Sequence, residues 1–113
     1  MKYTGIVKKG IQRGTRLGFP TLNIPISDES ISGIYAGRVT CEGIVRGAAI
    51  YANQERKILE AYVLEETPDM YGKRVAMELL KKVRESEEFD DEEKLKVAIA
   101  NDVQRVREYL KNV

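Results

Sequence analysis

The segment from Gly18 to Ile26 carries two oxygen-bearing side chains at a spacing that suits the binding of a metal ion and phosphate. Pro20 favours an extended chain before it, and the apolar residues that follow favour a β-strand. Because side chains alternate along a strand, the Thr21 hydroxyl and the Asn23 amide should lie on one face. Such oxygens bind hard cations, although a polar outer face on an edge strand is a simpler explanation of the pair alone.

A glycine-rich segment precedes this motif. Gly10, Gly14 and Gly18 recur every four residues, and Arg16 adds positive charge between them. Glycines allow a backbone to approach a ligand closely and to turn its N–H groups toward an anion. The spacing does not match the Walker pattern. The segment is therefore either a phosphate-binding loop or an ordinary glycine-rich connection between strands.

Glu60 is the one charged residue inside an apolar stretch, residues 58–64. The stretch reads as a strand whose neighbouring positions on both faces are aliphatic or aromatic. An unpaired buried carboxylate is costly. Glu60 is therefore either the partner of a cation on another strand or a general base, and the residues alone leave both possibilities open.

Residues 69–73, with the sequence Asp-Met-Tyr-Gly-Lys, place the aromatic Tyr71 and a lysine in a predicted turn. A ligand contact and a plain hairpin turn are the two explanations, and the second needs no function.

The composition excludes several classes of site. The chain has 113 residues, no histidine and one cysteine, Cys41, which rules out Ser-His-Asp and Cys-His arrangements, His-ligated zinc and Cys-rich clusters. The 19 Lys and Arg against 18 Asp and Glu give a net charge of +1, which indicates neither a nucleic-acid nor a membrane partner. Without a signal segment or a disulfide partner, we expect a cytoplasmic protein with a buried thiol.

The elements that must position these residues are mainly strands. Five short β-prone runs separated by glycines predict a small barrel or sandwich, at residues 3–8, 21–26, 34–40, 44–51 and 58–65. Residues 74–84 fit a strand by the alternation of Val75, Met77 and Leu79, but their local propensity favours a helix. At the C-terminal end, Asp90 and Glu93 predict a helix start, and apolar residues recur at helical spacing up to Leu110.

Taken in order along the chain, these motifs resemble the riboflavin kinase (flavokinase) family of bacterial and eukaryotic type. The resemblance runs from Gly5 to Leu110 and rests mainly on Gly-Phe-Pro-Thr-x-Asn, with support from Gly33-Ile34-Tyr35-Ala36, the isolated Glu60 and Asp-x-Tyr-Gly-Lys. It implies a mainly β fold, a six-stranded antiparallel Greek-key barrel with residues 74–84 as the sixth strand. Residues 1–113 would form one domain, with the barrel over about 1–85 and the helix over about 91–111.

The resemblance also implies an activity, the transfer of the γ-phosphate of a nucleoside triphosphate (ATP, or CTP) to the 5′-hydroxyl of riboflavin, which gives FMN. Glu60 would take the hydroxyl proton, and Thr21 and Asn23 would hold Mg²⁺ or another divalent cation. The nucleotide would be bound by Gly10, Gly14, Arg16, Gly18, Thr21 and Asn23. The flavin would be bound by Arg84, Glu87 and Tyr71.

The chain departs from the family pattern at three places. The connection between Asn53 and Ile58 is short, which affects the flavin pocket, and Leu22 stands at a core position where the family has a small residue. The adenylyltransferase domain of the bacterial enzymes is absent, so we expect no FAD synthesis unless the chain is part of a longer protein.

A non-catalytic flavin- or nucleotide-binding barrel and an oligonucleotide-binding barrel are the alternatives to a kinase. If the protein is a kinase, we expect riboflavin, FMN and nucleotide as its partners, and we expect a monomer.

Overall fold

The computed structural model describes residues 1–8, 21–65 and 68–113. Within these ranges it has six strands and one helix: β1 (Lys2–Ile6), β2 (Leu22–Pro25), β3 (Gly33–Cys41), β4 (Ile44–Asn53), β5 (Ile58–Val63), β6 (Arg74–Arg84) and α1 (Glu92–Lys111).

The six strands form one antiparallel sheet in the order β1-β6-β3-β4-β5-β2. Strands β3, β4 and β5 follow one another as hairpins, and β6 returns to lie beside β3, which is Greek-key connectivity. Lys8, which follows β1, forms an isolated bridge with Asn23 of the other edge strand, β2. The sheet is therefore a nearly closed barrel with one C-terminal helix, as predicted.

Residues 74–84 form a strand and not the helix that their local propensity favours. Val75, Met77 and Leu79 are buried, and the residues between them are more exposed. The strand pairs with β1 on one side and β3 on the other. Pairing on both sides and burial of one face outweigh the small differences in intrinsic propensity between residues such as Met, Leu and Glu.

The barrel is filled by the side chains of one face of each strand. The largest buried side chains include Ile24, Ile50, Leu59 and Met77, and Cys41 is a buried free thiol as predicted. Leu22 packs against the same cluster. The alternate residues of each strand, including Asn23 and Glu60, therefore lie on the outer face of the barrel.

Close approach of two strands requires a glycine at position 37. A Cβ atom at Gly37 would lie 2.2 Å from the backbone oxygen of Glu78 on β6. The β3–β6 register shifts between Ala36 and Gly37, where the sheet bends.

The helix α1 begins one residue later than the sequence pattern predicts. The N-cap is Asp91, not Asp90, and its extended backbone allows its carboxylate to accept a hydrogen bond from the Glu93 amide at 2.7 Å. Asp90 pairs with Lys94 instead. The helix lies against β3, β4 and β6 on the outer face of the barrel and buries Val103 and Val106. Among the described residues, no helix combines the length and the apolarity that a membrane crossing needs.

Candidate functional site

A row of side chains crosses the outer face of the sheet at one level. Asn23 of β2 pairs with Glu60 of β5, Glu60 with Tyr51 of β4, Tyr51 with Ile34 of β3, and Ile34 with Arg84 of β6. Directly paired residues of antiparallel strands project from the same face of a sheet. The pairing therefore brings Asn23 and Glu60, which are 37 positions apart in the sequence, side by side.

A cavity of about 500 Å³ opens above this row, between the outer face of the barrel, residues 86–89 and the helix α1. Thr21, Glu60, Tyr51 and Arg84 line it, while Asn23 lies at the edge of the row beside Glu60. A cavity of this size suits a small-molecule ligand. The sequence motif around Thr21 and the isolated acid Glu60 thus meet at one site, which is the arrangement that the kinase interpretation requires.

Glu60 is held by an amide and not by a cation. The Nδ2 atom of Asn53 donates to Glu60 Oε2 at 3.0 Å, and the Asn53 Oδ1 atom accepts from the backbone N–H of Arg56 at 3.1 Å. Asn53 is buried, so the fold holds in place the side chain that hydrogen-bonds to Glu60. No Lys or Arg of the described ranges forms an ion pair with Glu60. The sequence left open whether Glu60 pairs with a cation on another strand, and within those ranges it does not.

Tyr51 lies next to Glu60 and shares its environment. Burial raises the pKa of the Tyr51 phenol, and the nearby carboxylates of Glu60 and Glu55 raise it further. A hydrogen bond with Ser86 and the charge of Arg84 act in the opposite direction. At neutral pH Tyr51 is therefore a neutral, partly buried ring with a hydroxyl, suited to stacking and hydrogen bonding and not to proton abstraction.

The Asn23 side chain contains an unsatisfied buried acceptor. Its Nδ2 atom donates to the Lys8 carbonyl at 3.4 Å, and its Oδ1 atom is buried with no hydrogen-bond partner in the part of the chain that the structure describes. Such an oxygen carries a desolvation cost that a bound cation would remove. Within the described ranges no group of three or more Asp, Glu or Cys side chains is placed to hold a metal ion. The Asn23 amide and the Thr21 hydroxyl supply oxygens of the kind that a hard cation binds, and these two residues would hold such an ion together with groups of the substrate.

Arg84 joins the end of β6 to the helix. Its Nε and one terminal nitrogen donate to the two carboxylate oxygens of Asp102 at 2.7 and 2.8 Å, and Asp102 is buried. These hydrogen bonds raise the pKa of Arg84 above its usual value. The guanidinium carbon lies 5.9 Å from the ring centroid of Phe89. Arg84 therefore lines the cavity with its charge already paired.

The other predicted site residues divide into three groups. Glu87 lines the cavity. Tyr71 does not; it lies in the turn before β6, at the opposite end of that strand from Arg84, where the Gly72 amide donates to the Val7 carbonyl. The predicted phosphate loop, with Gly10, Gly14, Arg16 and Gly18, lies outside the described residues.

Sequence reasoning missed Asn53, Arg56 and Asp102. Asn53 ends β4 and Arg56 lies in the four-residue turn to β5, a segment that the sequence marked only as a shortened loop. Asp102 is a polar residue whose spacing places it among the apolar positions of the helix, and that spacing was the available signal. The partners of Asn53 and Asp102 lie on other elements, which no local pattern identifies, whereas the contact between Asn53 and the Arg56 N–H is local to the turn.

Comparison with known proteins gives a consistent family. The family model for flavokinase, described as riboflavin kinase, matches residues 1–110. A bifunctional riboflavin kinase/FMN adenylyltransferase of Escherichia coli K12 is 30% identical over 94% of this chain and 37% of the relative. An RNA-binding riboflavin kinase of Bacillus subtilis is 32% identical over 88% of this chain and 46% of the relative. The chain thus spans less than half the length of these curated relatives.

A solved structure supports the fold. It is described as a macrolide-efflux protein from Streptococcus pneumoniae, and it superposes with a TM-score of 0.80 over 94% of this chain and 38% of that chain. The identity is 23%, so this likeness concerns the fold alone.

Proposed function

Because the chain belongs to the riboflavin kinase (flavokinase) family, we propose that it transfers the γ-phosphate of a nucleoside triphosphate to the 5′-hydroxyl of riboflavin and so forms FMN. The observation that carries the proposal is the pairing of Glu60 with Asn23 at the edge of a cavity that Thr21 also lines. A protein that only binds flavin or nucleotide needs no isolated carboxylate beside oxygen ligands for a metal ion. Phosphoryl transfer to an alcohol uses the carboxylate as a base and the oxygen ligands to hold the cation.

The reaction assigns Glu60 the role of general base. The ribityl oxygen forms a bond to the γ-phosphorus, the bond from that phosphorus to the leaving nucleoside diphosphate breaks, and the hydroxyl proton passes to the Glu60 carboxylate. Asn53 donates to Glu60 Oε2 and fixes the orientation of the carboxylate. General-base catalysis of this kind typically contributes about 10²–10⁴-fold.

We assign the cation-binding role to Thr21 and Asn23. Bound Mg²⁺ supplies charge neutralisation and orientation of the phosphate oxygens. The unpartnered Oδ1 atom of Asn23 supports this assignment, because a bound cation would satisfy it. The contribution of Gly10, Gly14, Arg16 and Gly18 to the nucleotide site rests on the sequence pattern, which places three glycines and one positively charged side chain just before the motif.

We propose that the cavity binds the flavin. Tyr51, Tyr62 and Phe89 line it with aromatic surface, and Arg84 and Glu87 supply polar groups. A flat, conjugated ring system stacks well on such side chains. The shortened turn between β4 and β5 leaves this cavity in place, and we therefore propose that flavin binding is retained. Tyr71 is not part of the proposed flavin site.

The test is an assay for FMN with purified protein, riboflavin and Mg²⁺, run separately with ATP, CTP, GTP and UTP. We expect FMN with at least one nucleotide and none when the divalent cation is chelated. Riboflavin binding without FMN formation from any of the four would favour the non-catalytic flavin-binding barrel. The same proposal keeps the expectation of a cytoplasmic monomer that acts on small molecules and not on nucleic acid.

A further inference from the structure

The cavity is rich in negative charge, although the proposed reaction brings an anion into it. Five carboxylates and two guanidinium groups line it, which leaves a formal charge of −3. Arg84 is one of the two cations, and its charge is engaged bidentately by Asp102. Arg56 is the other, and it forms no ion pair within the described residues. Among the described cavity residues, Arg56 is therefore the cation available for a ligand.

The fold links the backbone of Arg56 to the side chain of Glu60. One amide side chain serves both residues, because Asn53 accepts from the Arg56 backbone N–H and donates to the Glu60 carboxylate. Gln54, the first residue of the turn, adds a further anchor, because its Nε2 atom donates to the carbonyls of Asp28 and Ile31 at 2.8 and 2.7 Å. The backbone that carries Arg56 is thus held in place, and Arg56 lines the same cavity as the proposed base.

We propose that Arg56 binds the phosphoryl group that the reaction transfers, and that it enables the site to distinguish FMN from riboflavin. The inference rests on the proposed function, since it concerns the same cavity. Riboflavin is neutral, whereas the phosphate of FMN carries a charge of about −1.5 to −2 at neutral pH. A guanidinium offers that group two parallel hydrogen bonds, which makes Arg a strong phosphate ligand.

The experiment measures binding and does not depend on turnover. Riboflavin and FMN are titrated separately into the full chain in the presence of Mg²⁺, and the quenching of flavin fluorescence gives each Kd. We expect Arg56→Gln to raise the Kd of FMN roughly tenfold or more, as the loss of a charged hydrogen bond predicts. The Kd of riboflavin should change less than about twofold. For Arg56→Lys, the Kd of FMN should lie between the values of the wild type and Arg56→Gln.

Lys57→Gln is the matched control, because it removes one positive charge from the same turn at a residue that does not line the cavity. It should leave the ratio of the two Kd values as in the wild-type protein. Increasing salt should weaken FMN binding more in the wild type than in Arg56→Gln. An unchanged ratio in Arg56→Gln, or an equal change in Lys57→Gln, would overturn the inference while leaving the proposed function intact. A wild-type protein that binds neither flavin would overturn the proposed function, and this inference with it.

Discussion

At the scale of single residues, the site depends on two side chains that a strand pairing brings together. Glu60 contributes a carboxylate with one oxygen held by Asn53, and Asn23 contributes a buried oxygen without a partner. We propose different chemical roles for the two, since a carboxylate can accept a proton and an amide oxygen suits a cation. Their roles can therefore be separated by substitutions that affect turnover and nucleotide binding differently.

Glu60→Gln should lower kcat by about 10²–10⁴-fold, because an amide cannot accept the hydroxyl proton. Flavin and nucleotide binding should persist, since a glutamine oxygen can still accept the hydrogen bond from Asn53. Steady-state kinetics and fluorescence titration measure the two effects. Glu65→Gln, the same change at an exposed residue near the end of β5, is the control. Unchanged turnover in Glu60→Gln would remove this residue from the mechanism.

Asn23→Ala should weaken the binding of the Mg²⁺–nucleotide complex by about tenfold or more, with a much smaller effect on riboflavin. The reason is the loss of a buried side-chain oxygen that has no hydrogen-bond partner among the described residues. The measurement is thermal unfolding with and without Mg²⁺–nucleotide, because a ligand stabilises the state that binds it. Asn101→Ala, at an exposed position of α1, should keep the wild-type response. Equal losses for nucleotide and riboflavin would point to general misfolding.

At the scale of elements, one ion pair and one close approach of two strands hold neighbouring elements together. The bidentate pair between Arg84 and Asp102 attaches α1 to the end of β6, and the helix forms one wall of the cavity. Gly37 of β3 lies directly against the backbone of β6, next to a shift in the register of the two strands. The ion pair should therefore affect both stability and ligand binding, and the strand contact should affect stability.

Asp102→Asn should destabilise the protein by about 1–3 kcal/mol, because a partly buried Arg84 would lose its charged partner. The KM for riboflavin should rise as the helix wall loosens, with a smaller change in the KM for nucleotide. Urea unfolding and steady-state kinetics test the two effects. Asp90→Asn breaks the exposed pair with Lys94 and should change the free energy of unfolding by less than about 0.5 kcal/mol. Equal effects of the two substitutions would show that the buried pair has no special role.

Gly37→Ala should destabilise the fold by about 1–3 kcal/mol or more, because its Cβ would meet the Glu78 backbone oxygen, which cannot move without shifting β6. Gly47→Ala is the control on the neighbouring strand. There the closest atom is the end of the Leu110 side chain, which can change rotamer. Denaturant unfolding should therefore rank the wild type first, Gly47→Ala second and Gly37→Ala last.

At the scale of the whole molecule, the closure of the barrel joins distant parts of the chain. Tyr3 of β1 donates to Asp28 at 2.7 Å, which connects the first strand to the segment between β2 and β3. Burial, followed by the hydrogen bond and charge of Asp28, raises the pKa of Tyr3 to about 12. A phenol whose pKa is raised on folding contributes stability that is present below its unfolded value, near 10, and is lost as the pH rises toward 12.

The free energy of unfolding should therefore fall between pH 10 and pH 12 more steeply in the wild type than in Tyr3→Phe, which cannot ionise at this position. Below pH 10 the wild type should be the more stable protein, because only it forms the hydrogen bond to Asp28. Urea unfolding at pH 8, 10 and 12 follows the difference. Parallel curves for the two proteins across this range would show that Tyr3 does not link stability to pH.

Much of the architecture could be predicted from local patterns. Five strands, the C-terminal helix and the buried thiol follow from alternation, helical spacing and composition. Two features did not follow from the local pattern. Residues 74–84 are helical by propensity, and the family resemblance predicted the strand that they form between β1 and β3. The helix start moved from Asp90 to Asp91, since cap geometry depends on one backbone angle that the sequence does not specify.

By itself, the sequence determined which chemical groups the protein can use: carboxylates, hydroxyls, amides and guanidiniums, without histidine and with a single thiol. It also determined the alternation that places Asn23 on the same face as Thr21 and makes Glu60 the one charge in an apolar strand. Only the tertiary structure decided that these two residues face each other, that Asn53 holds Glu60 next to Arg56, and that Asp102 engages Arg84. The physical reason is that side-chain alternation is a local property of the backbone, whereas strand register and ion pairing depend on burying one common core.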